Sequence, residues 1–234
     1  MTGRESILTR IREALRVKTA VHATPRLPTA QEHRAVLPPV DTGPDGLLQQ
    51  FERNAAELRA TFLRVPDAAS LPAALRRLRD QHRWQRAATH HGEWTNALPH
   101  ALELPVLFTD GGFDKNELAR CDVGVTECDA LVAQTGTVIV TSRSAGGRAL
   151  SVLPPHHVVL ARRSQLVADL PAAMERLQKK YADHMPSMIS LITGPSRTGD
   201  IERILVLGAH GPKQLTILCV SDTDASGGFN PCAE

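Results

Sequence analysis

The feature that most constrains this chain is an alternation of short apolar runs with segments of helical spacing, from about residue 47 to residue 220. The runs are Ala87–Thr89, Val106–Thr109, Val123–Val125, Thr137–Thr141, His157–Ala161, Met188–Thr193 and Leu215–Val220. Each is too short for a helix, rich in Val, Ile or Thr, and bounded by polar or glycine-containing stretches, so each predicts a strand. Between them, Leu47, Phe51, Ala55, Leu58 and Phe62 fall on one helical face. Ser70 can cap a helix that carries Leu71, Leu75 and Leu78, and Asp169 one that carries Leu170, Ala173, Leu177 and Tyr181. Apolar strands separated by helices predict an α/β fold, a largely parallel sheet flanked by helices.

Outside that alternation lie two flanks. Ile7, Leu8, Ile11 and Leu15 share a helical face behind a Thr2/Glu5 capping box. Pro25, Pro28, Pro38, Pro39 and Pro44 then interrupt a stretch with little apolar periodicity. The expected organisation is an N-terminal helix and proline-rich tether over 1–46, an α/β domain over 47–223 and a tail over 224–234. The helix fits docking to a partner or a membrane surface, or packing on its own domain or a second copy.

Several function classes drop out. Aromatics are 3% of the chain and the net charge is +2, which gives neither stacking platforms nor a field for nucleic acid. No apolar run reaches the roughly 20 residues of a membrane span, and the first residues lack the apolar run of a signal peptide. The four cysteines, at 121, 128, 219 and 232, form no C-x-x-C pair. They predict a reducing cytoplasm and no iron–sulfur cluster or structural zinc held by this chain alone.

Chemistry concentrates at glycine turns. Gly194-Pro195-Ser196-Arg197-Thr198-Gly199 has the glycine spacing that opens a phosphate loop. Asp200 and Ile201 stand where a nucleotide site needs Lys and Ser/Thr, so a Walker-type site is excluded. What remains is an anion-accepting turn with Arg197 as a fork for a carboxylate, or a structural turn capped by Thr198 or Asp200. Gln134, Thr135, Gly136 and Thr137 form a second polar turn ahead of a strand, where glycine permits close approach or a bulge. His157 opens a strand, and His210 sits in the turn of "LGAHGP"; each is a candidate base or a structural histidine. If the strand before Gly194 and the run ending at Leu207 are parallel neighbours, Arg197 and His210 face one cleft with Thr135–Thr137 and His157.

The segments "GVTECDALVAQTGTVIV", "LSVLPPHHVVLARRSQLV" and "LITGPSRTGDIERILVLGAHGP" occur in this order. Together they resemble the lactate-utilisation protein C family (LutC/YkgG), which carries the LUD domain, from about Gly124 to Val220. The resemblance implies the fold shared by glucosamine-6-phosphate deaminase, ribose-5-phosphate isomerase and CoA transferases. It also implies a subunit that works with iron–sulfur partner proteins to oxidise L-lactate to pyruvate, the clusters being on the partners. Catalytic candidates carried over are His157 and His210. Binding candidates are Thr135, Gly136, Thr137, Gly194, Ser196, Arg197, Thr198 and Asp200, with Gln134 at a position where the resemblance implies an acid. A glutamine there can hydrogen-bond a small anionic substrate but cannot take its proton at neutral pH. Other readings are a non-catalytic assembly subunit and a stand-alone enzyme acting on a CoA ester or sugar phosphate. The oligomeric state stays open, a homo-oligomer included.

Overall fold

The computed structural model describes residues 3–16, 29, 31–32, 34, 39–41, 43–198, 206–208 and 210–221. Thr2 of the capping box, most of the tether, Gly199, Asp200, the apolar run at 201–205 and the tail lie outside the described residues. The chain forms two compact units, Met1–Leu37 and Pro38–Glu234. In the first, α1 (Gly3–Arg16) is a helix with no buried residue.

The second unit begins with α2 (Pro44–Glu57) and β1 (Thr61–Val65), followed by α3 (Leu71–His82), β2 (Ala87–Thr89), α4 (Leu98–Leu102) and β3 (Val106–Phe108). Next come α5 (Lys115–Ala119), β4 (Val123–Glu127), β5 (Ala130–Val132), β6 (Thr137–Thr141), β7 (His156–Arg162) and β8 (Leu166–Val167). The chain continues through α6 (Leu170–Lys180), β9 (Ile189–Ile192), β10 (Arg197–Thr198), β11 (Val206–Leu207) and β12 (Gln214–Val220). Among the described residues no helix is long and apolar enough to cross a membrane.

The centre is a six-stranded sheet in the order β1-β12-β7-β4-β2-β3. Every pairing in it is parallel. Val123, Val125, Val158, Leu160, Leu218 and Val220 face α3 and α4 on one side. Val159, Ala161, Leu215 and Ile217 face α2 and a second sheet on the other. That second sheet, in the order β8-β5-β6-β9, is mixed. Its strands alternate: Val138 and Val140 pack inward on the parallel sheet, while Ile139 packs outward with Ala173 and Leu177 of α6.

Three expectations are corrected. Phe62 does not continue the first helix, which ends at Glu57; it lies in β1, its ring 5.3 Å from that of Phe51. The stop is a Schellman-type turn: Ala60 N–H returns to Ala55 O, Arg59 N–H to Ala56 O, and Arg59 takes φ 64°. No glycine marks it, so the sequence carries no signal for the break. Ser70 gives α3 no side-chain cap; Asp67 caps the preceding turn by accepting from Ser70 N–H. Asp169 does cap α6, accepting from Ala172 N–H. Finally, β9 joins the mixed sheet antiparallel to β6, and β11 pairs antiparallel with β10, so the strand before Gly194 and the run ending at Leu207 are not parallel neighbours.

Candidate functional site

The Gly136 and Gly194 turns meet at the end of the mixed sheet where β6 begins and β9 stops. Antiparallel pairing of Val138 with Ile192 brings Thr137 beside Thr193. Thr137 Oγ1 lies 2.8 Å from Thr193 Oγ1 and 2.7 Å from Thr135 Oγ1. The row runs from half-buried Thr135 through Thr137, 2% exposed, to Thr193 at the surface. Three hydroxyls carry three protons and the row has two internal bonds, so one proton is left to donate outward.

The C-terminal end of α2 holds this row in place. Asn54 Nδ2 donates to Ala133 O at 2.8 Å and to Gln134 O at 2.9 Å. On the other strand side, Ala133 N–H donates to Val167 O and Gln134 N–H to Ala168 O. Gly136 sits at φ 63°, and a Cβ there would stand 3.0 Å from Ala55 N. Gly194, at φ 81°, lies under the same helix end: a Cβ would meet Leu58 O at 2.9 Å and Arg197 Nη2 at 3.4 Å. Both glycines are needed for conformation and for close approach.

Arg197, itself exposed, follows in a two-stranded ribbon and pairs with Leu207. Ser196 N–H donates to Pro212 O and Gly208 N–H to Ser196 O. The "GPS" and "HGP" turns are thus stitched together, with exposed His210 beside the pairing. Thr198 pairs with Val206 through the backbone. Asp200 lies outside the described residues. The ribbon leads into β12 at the amino edge of the parallel sheet, where Lys213 N–H donates to Pro155 O at 2.8 Å.

His157 is placed elsewhere. It lies on β7, 1% exposed, with Nε2 2.9 Å from Thr126 Oγ1. By alternation its side chain shares the face of Val159 and Ala161, toward the inner side of the mixed sheet, whereas Thr137 shares the outer face of Ile139. Burial, then the neighbouring His156, push the His157 imidazole down to about 3, so it is neutral at physiological pH.

Sequence reasoning missed two contributors. Asn54 stands inside a helix, where asparagine is a poor former, and that is its only signal. Thr193 looks like the last residue of an apolar run. Asn54→Ala removes both amide bonds to the turn and is expected to cost about 1–2 kcal/mol. Urea unfolding measures it; an unchanged midpoint means the turn is held without Asn54.

The LUD domain family model matches residues 48–220. "Lactate utilization protein C" of Anoxybacillus flavithermus is 38% identical over 112 residues, 47% of this chain and 50% of that protein. The protein of that name from Exiguobacterium sp. is 27% identical over 227 residues, 95% of this chain and 97% of its own length. Several of the named relatives are matched over only about half their length. A crystal structure of a DUF162 family protein from Deinococcus radiodurans superposes with a TM-score of 0.59, at 24% identity, covering 77% of this chain and 99% of that one. That likeness shows the shared fold. Since the family model runs from α2 to the last residue of β12, through both sheets and both glycine turns, this chain belongs to the LUD domain family.

Proposed function

We propose that this chain serves L-lactate utilisation in the bacterial cytoplasm as an anion-holding subunit, and that iron–sulfur partner proteins receive the electrons. Two electrons and two protons leave lactate as it becomes pyruvate. Gln134 cannot take a proton, so the two protons would pass to exposed His210 and to solvent, and the partners' clusters would take the two electrons. The observation that carries the reading is the hydroxyl row with a proton to spare, between two positive-φ glycines, with Arg197 Nη2 3.4 Å from where a Cβ of Gly194 would stand. Those are donors without a competing acid among the described residues of the turn, which suits a small carboxylate or phosphate. The names of the relatives supply the pathway. His210, exposed on the same ribbon, is the histidine available as hydrogen-bond partner.

Deleting the gene from a bacterium with no other lactate oxidase should abolish growth on L-lactate as sole carbon source. Normal growth removes the reading. At the site, Arg197→Ala should weaken binding of pyruvate or inorganic phosphate by about 1.5–3 kcal/mol, ten- to hundredfold. Arg197→Lys should be nearly as weak if the contact is bidentate, since an ammonium cannot reproduce the fork. Titration calorimetry on the folded variants decides this; wild-type affinity in both makes the turn structural.

A second reading, an assembly subunit, has one observation in its favour: α1 leaves Ile7, Ile11 and Leu15 between 50% and 80% exposed. Pull-down of the iron–sulfur proteins with and without residues 1–46 tests it.

A further inference from the structure

Charge divides unevenly between the two compact units. Residues 1–37 carry seven Lys and Arg against three Glu, a net +4. The rest of the chain carries 20 basic against 22 acidic residues, a net −2. A basic segment set against an acidic body points to a unit that meets an anionic partner.

The helix of that basic unit, α1, is 14 residues long and buries none of them. An isolated helix of this length is marginal in water, and most helices are held by packing of an apolar face. Such a face is present. At about 100° per residue, Ala14, Ile7, Ile11, Leu15 and Leu8 follow one another around about a third of the circumference. Ile7, Leu8, Ile11 and Leu15 are all exposed. A surface that covers the stripe therefore also stabilises the helix.

The borders of the stripe say what covers it. Going round the helix, Arg12 comes next after Leu8 on one side, and Arg10 stands beyond Ala14 on the other. Arg4 heads the stripe, one turn before Ile7 and Leu8. Glu13 lies opposite the stripe, and Glu5 stands in the first turn, where the helix dipole favours an acid. Cations at both borders, with an acid turned away, suit a helix lying in a lipid interface. The aliphatic stripe enters the acyl boundary, and the long arginine side chains reach sideways to headgroup phosphates. A protein groove would need an acidic rim on both sides, whereas an anionic lipid surface supplies negative charge all round.

We infer that α1 lays this chain on an anionic lipid surface, in the interface and not across it. The binding is reversible, because four large apolar side chains bury little area. It weakens with salt, which screens the attraction between arginine and headgroup. The inference is independent of the lactate reading and of the anion turn.

The test is vesicle flotation of the full chain, with the melting temperature as a check on the α/β unit. Vesicles of equal parts phosphatidylglycerol and phosphatidylcholine should bind wild type at least about tenfold better than pure phosphatidylcholine at low salt. Raising the salt to about 0.5 M should remove most of that advantage. Ile7→Gln with Ile11→Gln keeps helix propensity and removes the stripe. Arg10→Gln with Arg12→Gln removes its borders. Each pair should weaken binding about tenfold or more at an unchanged melting temperature, since neither touches a buried residue. Glu13→Gln should not weaken it. No binding by wild type, equal binding to both kinds of vesicle, or full binding by both double variants overturns the inference. Loss of the iron–sulfur proteins from pull-down by the Ile7→Gln, Ile11→Gln variant, with wild type indifferent to vesicles, also overturns it and gives the stripe to a partner protein.

Discussion

Asp129→Ala is expected to destabilise the α/β unit by about 2–3 kcal/mol, the cost of leaving the Tyr181 and Ser144 hydroxyls without their acceptor, while half-exposed Lys180 returns to water. Asp129 is 1% exposed, in the turn between β4 and β5. Its carboxylate accepts from Lys180 Nζ at 2.6 Å, Tyr181 Oη at 2.7 Å and Ser144 Oγ at 2.7 Å. Those donors come from the end of α6 and from the loop after β6, so one side chain ties three segments of the outer layer. Burial alone pushes the Asp129 carboxyl up, but the bonds from Lys180, Ser144 and Tyr181 outweigh it and hold it below the usual carboxylate range. Its stabilisation is therefore present above the unfolded pKa and is lost as pH falls through the lower, folded value. For a unit of this size the loss in Asp129→Ala corresponds to a melting point lower by roughly 7 °C. Asp129→Asn should lose part of this, keeping the shape but not the charge. Urea unfolding that shows less than about 1 kcal/mol for Asp129→Ala would mean the network is a bystander.

That network also shows what the sequence could and could not disclose. The strand runs at 87–89 and 137–141 coincide with β2 and β6, because strand signals are local: β-branched residues between turns. The inward face of α6 was legible too, since Leu170, Ala173 and Leu177 keep helical spacing behind a true cap at Asp169. What was not legible is pairing. Ala130–Val132 and Leu166–Val167 are too short to stand out, yet they build the mixed sheet that carries Gly136 and Thr193 to one end. Nothing in a one-dimensional pattern says that β9 leaves the parallel sheet. The same gap hid the bond from Trp94 N–H to Glu127, residues far apart in sequence that meet because β4 returns beside β2.

At the end of the mixed sheet, the Thr135, Thr137 and Thr193 hydroxyls line up between the Gly136 and Gly194 turns. His156 and His157 lie away from that end, on the parallel sheet, and their burial has its own consequence.

Between pH 7 and pH 5 the α/β unit is expected to lose about 4 kcal/mol of stability through these two histidines. His156 is 4% exposed, packed edge-on against Trp84 and His82, with Nε2 2.9 Å from Thr216 Oγ1. The Nδ1 atoms of His156 and His157 have no partner. Burial, then the charge of His82, push His156 down to about 4; burial, then His156, push His157 down to about 3. In the unfolded chain each titrates near 6.5. Both folded values are depressed, so the unfolded state binds more protons below pH 6.5, and stability falls as pH falls. Each group loses about 1.4 kcal/mol per pH unit below 6.5, so about 2 kcal/mol by pH 5, and any folded value below about 4.5 gives nearly the same result there. Asp129 adds its own loss only at lower pH. Thermal unfolding at pH 7.5, 6.5 and 5 reads the effect, and it should be steepest below 6.5. His156→Gln should remove about half of the slope, since a neutral amide keeps a bond to Thr216 and takes up no proton. A melting point that does not move between pH 7.5 and 5 would show that both imidazoles accept protons in place, which requires water or an acid at Nδ1 of each.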